Sequence, residues 1–81
     1  MMMKYVYILQ SIGFPDHFYT GITTDVDERL VRHNGKQVPH TAKYVPWRLK
    51  TYVAFSDETQ ALAFEKYLKS ASGRAFAKKR L

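Results

Sequence analysis

The residue of this sequence with the plainest chemical requirement is Glu65. It lies four positions after Ala61 and three before Leu68, so on a helix it projects from or beside an apolar stripe. An ionised carboxylate in such a place is costly unless Arg, Lys or a metal ion pairs with it. An ordinary salt bridge meets that need without any function. A hard cation meets it too, because Mg²⁺ often takes only one or two protein carboxylates and completes its octahedron with water and phosphate oxygens. Arg29 and His33 are four apart and share a helix face. Arg grips phosphate in a bidentate fork, and a neutral His accepts a proton near pH 7. As a bland alternative, Arg29 pairs with Asp25 and His33 is a helix-end residue favoured by the dipole. Tyr7 and Tyr19 fall on separate strand-like segments. Strand tyrosines commonly serve packing. A tyrosine hydroxyl can also orient a water or relay its proton, but its reference pKa near 10 calls for a base or cation beside it.

Competing chemistries find little support. His17, His33 and His40 lack zinc-like spacing, and the chain has no cysteine to assist them. The four glycines are scattered, so no glycine-rich phosphate loop is present. A serine nucleophile has no local signature.

The elements that must position these residues read clearly. Residues 5–9, Tyr-Val-Tyr-Ile-Leu, form a β-branched and aromatic run with a tyrosine face and an aliphatic face. Residues 11–17 hold Gly13, Pro15 and Asp16, which are turn formers, and 18–23 read as a second strand. So short a connection favours an antiparallel hairpin. Thr24 is the expected N-cap of a helix with Asp25, Asp27 and Glu28 in its first turn, Val26, Leu30 and His33 at helical spacing, and Asn34-Gly35 as its stop. Residues 36–44 are polar and basic and read as a mobile loop. A third strand spans 47–55, with Pro46 tolerated before its start. Asp57, with Gln60 three positions on, caps a second helix whose stripe is Ala61, Phe64 and Leu68. Ser72-Gly73 is expected to break it, leaving 74–81 as a short basic helix. The order β-β-α-β-α-α predicts an α+β fold: a three-stranded antiparallel sheet flanked by helices, in a single domain over 1–81.

Thirteen Lys and Arg against seven Asp and Glu give a formal charge of +6 and a pI near 9.7. That surplus attracts polyanions, of which nucleic acid is the commonest in the cytosol. No apolar run is long enough for a transmembrane helix or, at the start, for a signal peptide. A cytoplasmic location without membrane association is the expectation.

Taken in order, these pieces resemble the GIY-YIG nuclease superfamily, in particular its small single-domain members. Tyr5-Val6-Tyr7 and Tyr19-Thr20-Gly21 resemble the two tripeptides that name it, and the following helix carries Arg29 and His33. Glu65, in Phe64-Glu65-Lys66, stands where that family has its metal-binding glutamate. The similarity runs over nearly the whole chain. It implies a DNA endonuclease, with RNA as an alternative substrate, that uses one Mg²⁺ or Mn²⁺ ion and serves repair or recombination. By this likeness, Tyr7 and Tyr19 would lie near the scissile phosphate and help activate water. Arg29 would stabilise phosphate charge, Glu65 would hold the metal, and His33 would transfer a proton or contact phosphate.

Some positions depart from the family pattern. Tyr5 and Val6 replace Gly and Ile, Thr20 replaces Ile, and Ile22 stands where some active relatives have lysine. Relatives also join this fold to separate binding domains. Target choice is therefore expected to rest on the loop around Lys36, His40 and Lys43, on Lys66, on Lys78, Lys79 and Arg80, or on a partner protein. The five catalytic candidates should converge on one concave basic surface. The alternatives are a nucleic-acid-binding module without turnover and a protein-interaction domain using the aromatic surplus; oligomeric state is left open.

Overall fold

The computed structural model describes residues 2–81. Four consecutive residues, Val6, Tyr7, Ile8 and Leu9, are buried. They lie in β1 (Lys4–Ser11), the middle of a three-stranded antiparallel sheet ordered β2-β1-β3. β2 spans Phe18–Thr23 and β3 spans Trp47–Phe55, as the sequence predicts. A central strand covered on both faces has no solvent side to present, which is why polar residues do not alternate through its core.

Each face has its own cluster. Val6 and Ile8 point to one side and pack with Ala61 and Leu68, joined by Ile22, Phe55 and Phe64. That layer is α3 (Glu58–Leu68) and α4 (Ala71–Arg80). Tyr7 and Leu9 point to the other side and pack with Trp47, Tyr19, Val26 and Leu30. That layer is α1 (Val26–Asn34) with a short α2 (Pro39–Ala42). The β1–β3 register slips between Ile8, which faces Thr51, and Leu9, which faces Leu49. The slip leaves Lys50 as the extra residue and lets both Leu49 and Trp47 join the Tyr7 cluster.

Three local expectations need correction. Asp25, not Thr24, caps α1: its carboxylate accepts the Glu28 N–H at 3.0 Å, while the Thr23 hydroxyl accepts the Asp25 N–H. The Ser72-Gly73 break falls earlier, because the Ser70 side chain caps α4 and takes the Gly73 N–H at 3.1 Å. Gly73 lies inside α4, where a Cβ would come within 1.8 Å of the Tyr67 carbonyl oxygen. Close approach of the two helices is therefore what requires glycine there. The third correction is α2, a single turn inside the segment read as loop. Pro39 starts it at a position where no N–H is needed, and Thr41 anchors it from the buried side.

The end of α1 is capped in an unusual way. Gly35 follows Asn34, but its φ is −81°, and Lys36 takes the left-handed conformation with φ 61°. Lys36 N–H then donates to the His33 carbonyl and Gln37 N–H to the Arg32 carbonyl, both at 3.1 Å. This is a Schellman turn with lysine at the position that glycine usually fills. Lys36→Gly should stabilise the fold by about 1 kcal/mol in urea unfolding. A loss of stability would contradict this account of the turn.

Candidate active site

Tyr7 occupies the centre of β1 directly opposite Gly21 on β2. A Cβ at position 21 would come within 2.5 Å of the Tyr7 hydroxyl oxygen and 2.6 Å of Cζ. The ring thus lies across the bare backbone of the edge strand, and only glycine leaves it that room. Its Oη reaches 3.0 Å from His33 Nε2, in the last turn of α1. The other ring nitrogen, Nδ1, lies 2.8 Å from Thr41 Oγ1 on α2. Thr41 donates its hydroxyl to the Val38 carbonyl at 3.2 Å, and its own carbonyl accepts Trp47 Nε1–H at 2.9 Å. Tyr7, His33, Thr41 and Trp47 are all buried. Tyr19 packs on the same group, its ring centroid 4.7 Å from His33 and 6.2 Å from Tyr7.

Charges from two further elements act on the Tyr7 hydroxyl. Burial is the main cause that pushes it up to about 12, and the neighbouring Tyr19 adds to this; the Arg29 guanidinium pulls it down, and the Glu65 carboxylate raises it. Arg29 comes from α1 and Glu65 from α3. Glu65 belongs to the opposite layer, and its charge still contributes to the raised Tyr7 value. His33 is held below its ordinary range, first by burial and then by Arg29. A neutral imidazole at pH 7 follows.

Tyr7, Tyr19 and His33 therefore pack together, and the charges of Arg29 and Glu65 act on the Tyr7 hydroxyl. They differ in exposure: Tyr7 and His33 are closed off from solvent, whereas Tyr19, Arg29 and Glu65 are half-buried. Glu65 also makes the ordinary salt bridge, with Oε2 3.0 Å from Lys69 Nζ. Arg29 approaches Glu28, not Asp25, at 4.0 Å, and Arg32 holds that same carboxylate more closely at 3.2 Å. Among the described residues no three His, Cys, Asp or Glu gather as a metal cage. A cation at Glu65 would thus rely on water and phosphate oxygens for most of its shell, an arrangement that Mg²⁺ accepts.

Lys36, Lys43, Lys66, Lys78, Lys79 and Arg80 are exposed, but they are divided between layers. Lys36 and Lys43 flank α2 on the Tyr7 side, with Lys43 Nζ 5.7 Å from the Tyr44 ring centroid. Lys78, Lys79 and Arg80 form the last turn of α4, across the sheet, where the helix dipole already favours cations. Lys66 adjoins Glu65 on α3. Sequence reasoning missed Thr41 and Trp47 as supports of the site, and it read Gly21 only as part of the second tripeptide. Its signal was a glycine inside a strand, and neither Thr41 nor Trp47 carried one.

The buried pair sets the pH range of the fold. Unfolded His takes up a proton near pH 6.5, whereas folded His33 resists it. Its contribution is present above pH 6.5 and is lost as pH falls through the lower folded value. Tyr7 contributes below the ordinary tyrosine value of 10.0, and that stability is lost as pH rises toward about 12. Urea midpoints should fall on both sides of this plateau, with a smaller acid arm in His33→Gln and a smaller alkaline arm in Tyr7→Phe. An unchanged acid arm in His33→Gln would contradict the assignment.

Comparisons with known proteins place the chain in a family. The family model described as the GIY-YIG catalytic domain matches residues 3–80. A UPF0213 protein of Cupriavidus necator is 40% identical over 76 residues, covering 89% of this chain and 80% of its own. One from Halalkalibacterium halodurans is 39% identical over 74 residues, covering 90% and 77%. The solution NMR structure of a UPF0213 protein from Bacillus halodurans is similar with a TM-score of 0.57 and 37% identity, over 95% of this chain and 81% of that one. The chain belongs to the GIY-YIG nuclease family, and its relatives here are UPF0213 proteins.

Proposed function

We propose that this protein is a divalent-metal-dependent DNA endonuclease, one domain over 1–81, working in the cytoplasm on repair or recombination substrates. Residue 1 lies outside the described residues. Membership of a nuclease family already implies a nucleic-acid substrate, and no described helix is long and apolar enough to cross a membrane. The observation that carries the finer reading is the assembly around one oxygen. The Tyr7 hydroxyl meets His33 at 3.0 Å and feels the charges of Arg29 and Glu65.

In this reading Arg29 turns to the scissile phosphate and stabilises the charge that builds there. That movement opens the enclosed Tyr7 hydroxyl to the attacking water. The water oxygen bonds to phosphorus as the bond from phosphorus to the leaving sugar oxygen breaks. Tyr7 Oη takes the proton from the water while its own proton passes to His33 Nε2. With a pKa near 12, Tyr7 is no phenolate at rest, so the two transfers occur together. Tyr19, half-buried beside both rings, orients the water or the phosphate. Mg²⁺ or Mn²⁺ bound at Glu65 would supply Lewis-acid stabilisation of the leaving oxygen. Lys69 would have to release Glu65 for that to happen. Lys36 and Lys43 lie on the Tyr7 side and suit backbone phosphates; Lys66, Lys78, Lys79 and Arg80 would extend the grip, and a partner protein would refine target choice.

The Glu65–Lys69 pair also favours a second reading, a binding module that never cleaves. Nicking of supercoiled plasmid, with branched and single-stranded oligonucleotides alongside, separates the two. Mg²⁺- or Mn²⁺-dependent cleavage, abolished by EDTA and reduced about 10²-fold or more in Glu65→Gln, is the expected result. Absence of cleavage, with equally salt-sensitive binding by both proteins, would establish the module instead.

A further inference from the structure

We propose that Thr41 is a positioning residue that fixes the tautomer of His33 and so decides which way the Tyr7 proton can move. This rests on the catalytic reading above but is decided by a different observable. Thr41 has one hydroxyl hydrogen, and its Oγ1 lies 3.2 Å from the Val38 carbonyl oxygen, an acceptor only. With that hydrogen committed, Oγ1 presents a lone pair to His33 Nδ1 at 2.8 Å. Nδ1 therefore carries the imidazole proton. Neutral imidazole has a single N–H, so Nε2 is bare and accepts the Tyr7 O–H at 3.0 Å. The chain runs one way: Tyr7 to His33, His33 to Thr41, Thr41 to Val38.

Thr41 can impose this order because it is held independently of His33. The Trp47 indole N–H grips its carbonyl at 2.9 Å, and the Tyr44 N–H donates to the same oxygen at 3.1 Å. Asn34 in turn fixes Trp47, taking its N–H through Oδ1 at 2.6 Å and donating Nδ2–H to its carbonyl at 3.0 Å. Thr41 itself is 1% exposed, so no solvent competes for its hydroxyl. In the opposite tautomer Nε2 would donate to Tyr7, and the tyrosine proton would have no base. The short helix α2 thus has a purpose beyond closing a loop. It carries the hydroxyl that leaves Nε2 free.

Long-range ¹H–¹⁵N spectra of the intact protein test this without any cleavage assay. Wild type should show a protonated Nδ1 and an unprotonated Nε2 on His33. Thr41→Val should reverse or average the two signals, and Thr41→Ser should restore them. In plasmid nicking Thr41→Val should lose about 10²- to 10⁴-fold in rate, with Thr41→Ser near wild type. A wild-type protein with its proton on Nε2 overturns the proposal, whether or not Thr41→Val folds. So does a Thr41→Val protein that keeps the wild-type tautomer. If tautomer and rescue behave as stated but wild type does not cleave, Thr41 still fixes the ring and the nuclease reading is the part that fails.

Discussion

The contact on which this molecule depends is the buried hydrogen bond between the Tyr7 hydroxyl and His33 Nε2. It ties the middle of the central strand to the last turn of α1, two segments twenty-six residues apart. Both side chains are fully enclosed, so each polar atom needs a partner inside the protein. A buried group left without one costs about 1–3 kcal/mol. Among the described residues no buried side-chain nitrogen or oxygen lacks a partner. Satisfying His33 calls for Thr41, Thr41 calls for the α2 turn, and that turn is held by Trp47 and Asn34. One polar pair in the core thus dictates the path of the chain from α1 to β3.

The same contact explains how residues from opposite layers act on one oxygen. A sheet ordinarily keeps its two faces apart, and here it separates Lys36 and Lys43 from Lys78, Lys79 and Arg80. Tyr7 escapes that division because it lies over Gly21 on the edge strand. The charges of Arg29 from one layer and Glu65 from the other both act on its hydroxyl. The placement also raises its pKa and lowers that of His33. At neutral pH the pair is a neutral phenol facing a neutral imidazole.

Much of this was legible in the sequence, and the reason is physical. The strand at Tyr5-Val6-Tyr7-Ile8-Leu9, the hairpin after it, and the strand from Trp47 to Phe55 depend on local β-preference and on turn residues, which are written locally. The elements that carry Tyr7, Tyr19, Arg29, His33 and Glu65 were readable because strand preference, capping residues and apolar spacing are all local signals. The start of α1 was misplaced by one residue because Thr24 and Asp25 are adjacent capping types, and only the path of the chain from Thr23 chooses between them. Thr41 was not legible at all. Its neighbours in sequence are polar and basic, and what buries it is a histidine eight residues earlier and an indole six residues later. Position 73 likewise looks like a helix breaker until α3 is seen pressing on it.

A crystal structure of the wild-type protein with a short branched DNA and Ca²⁺, a cation chosen to hold the complex without turnover, tests the central claim most directly. The account predicts a cation on Glu65, released from Lys69, and a backbone phosphate held by Arg29 within hydrogen-bonding reach of Tyr7 or Tyr19. DNA lying only along the basic end of α4, with Glu65 still paired to Lys69 and the Tyr7 hydroxyl still enclosed, would contradict it.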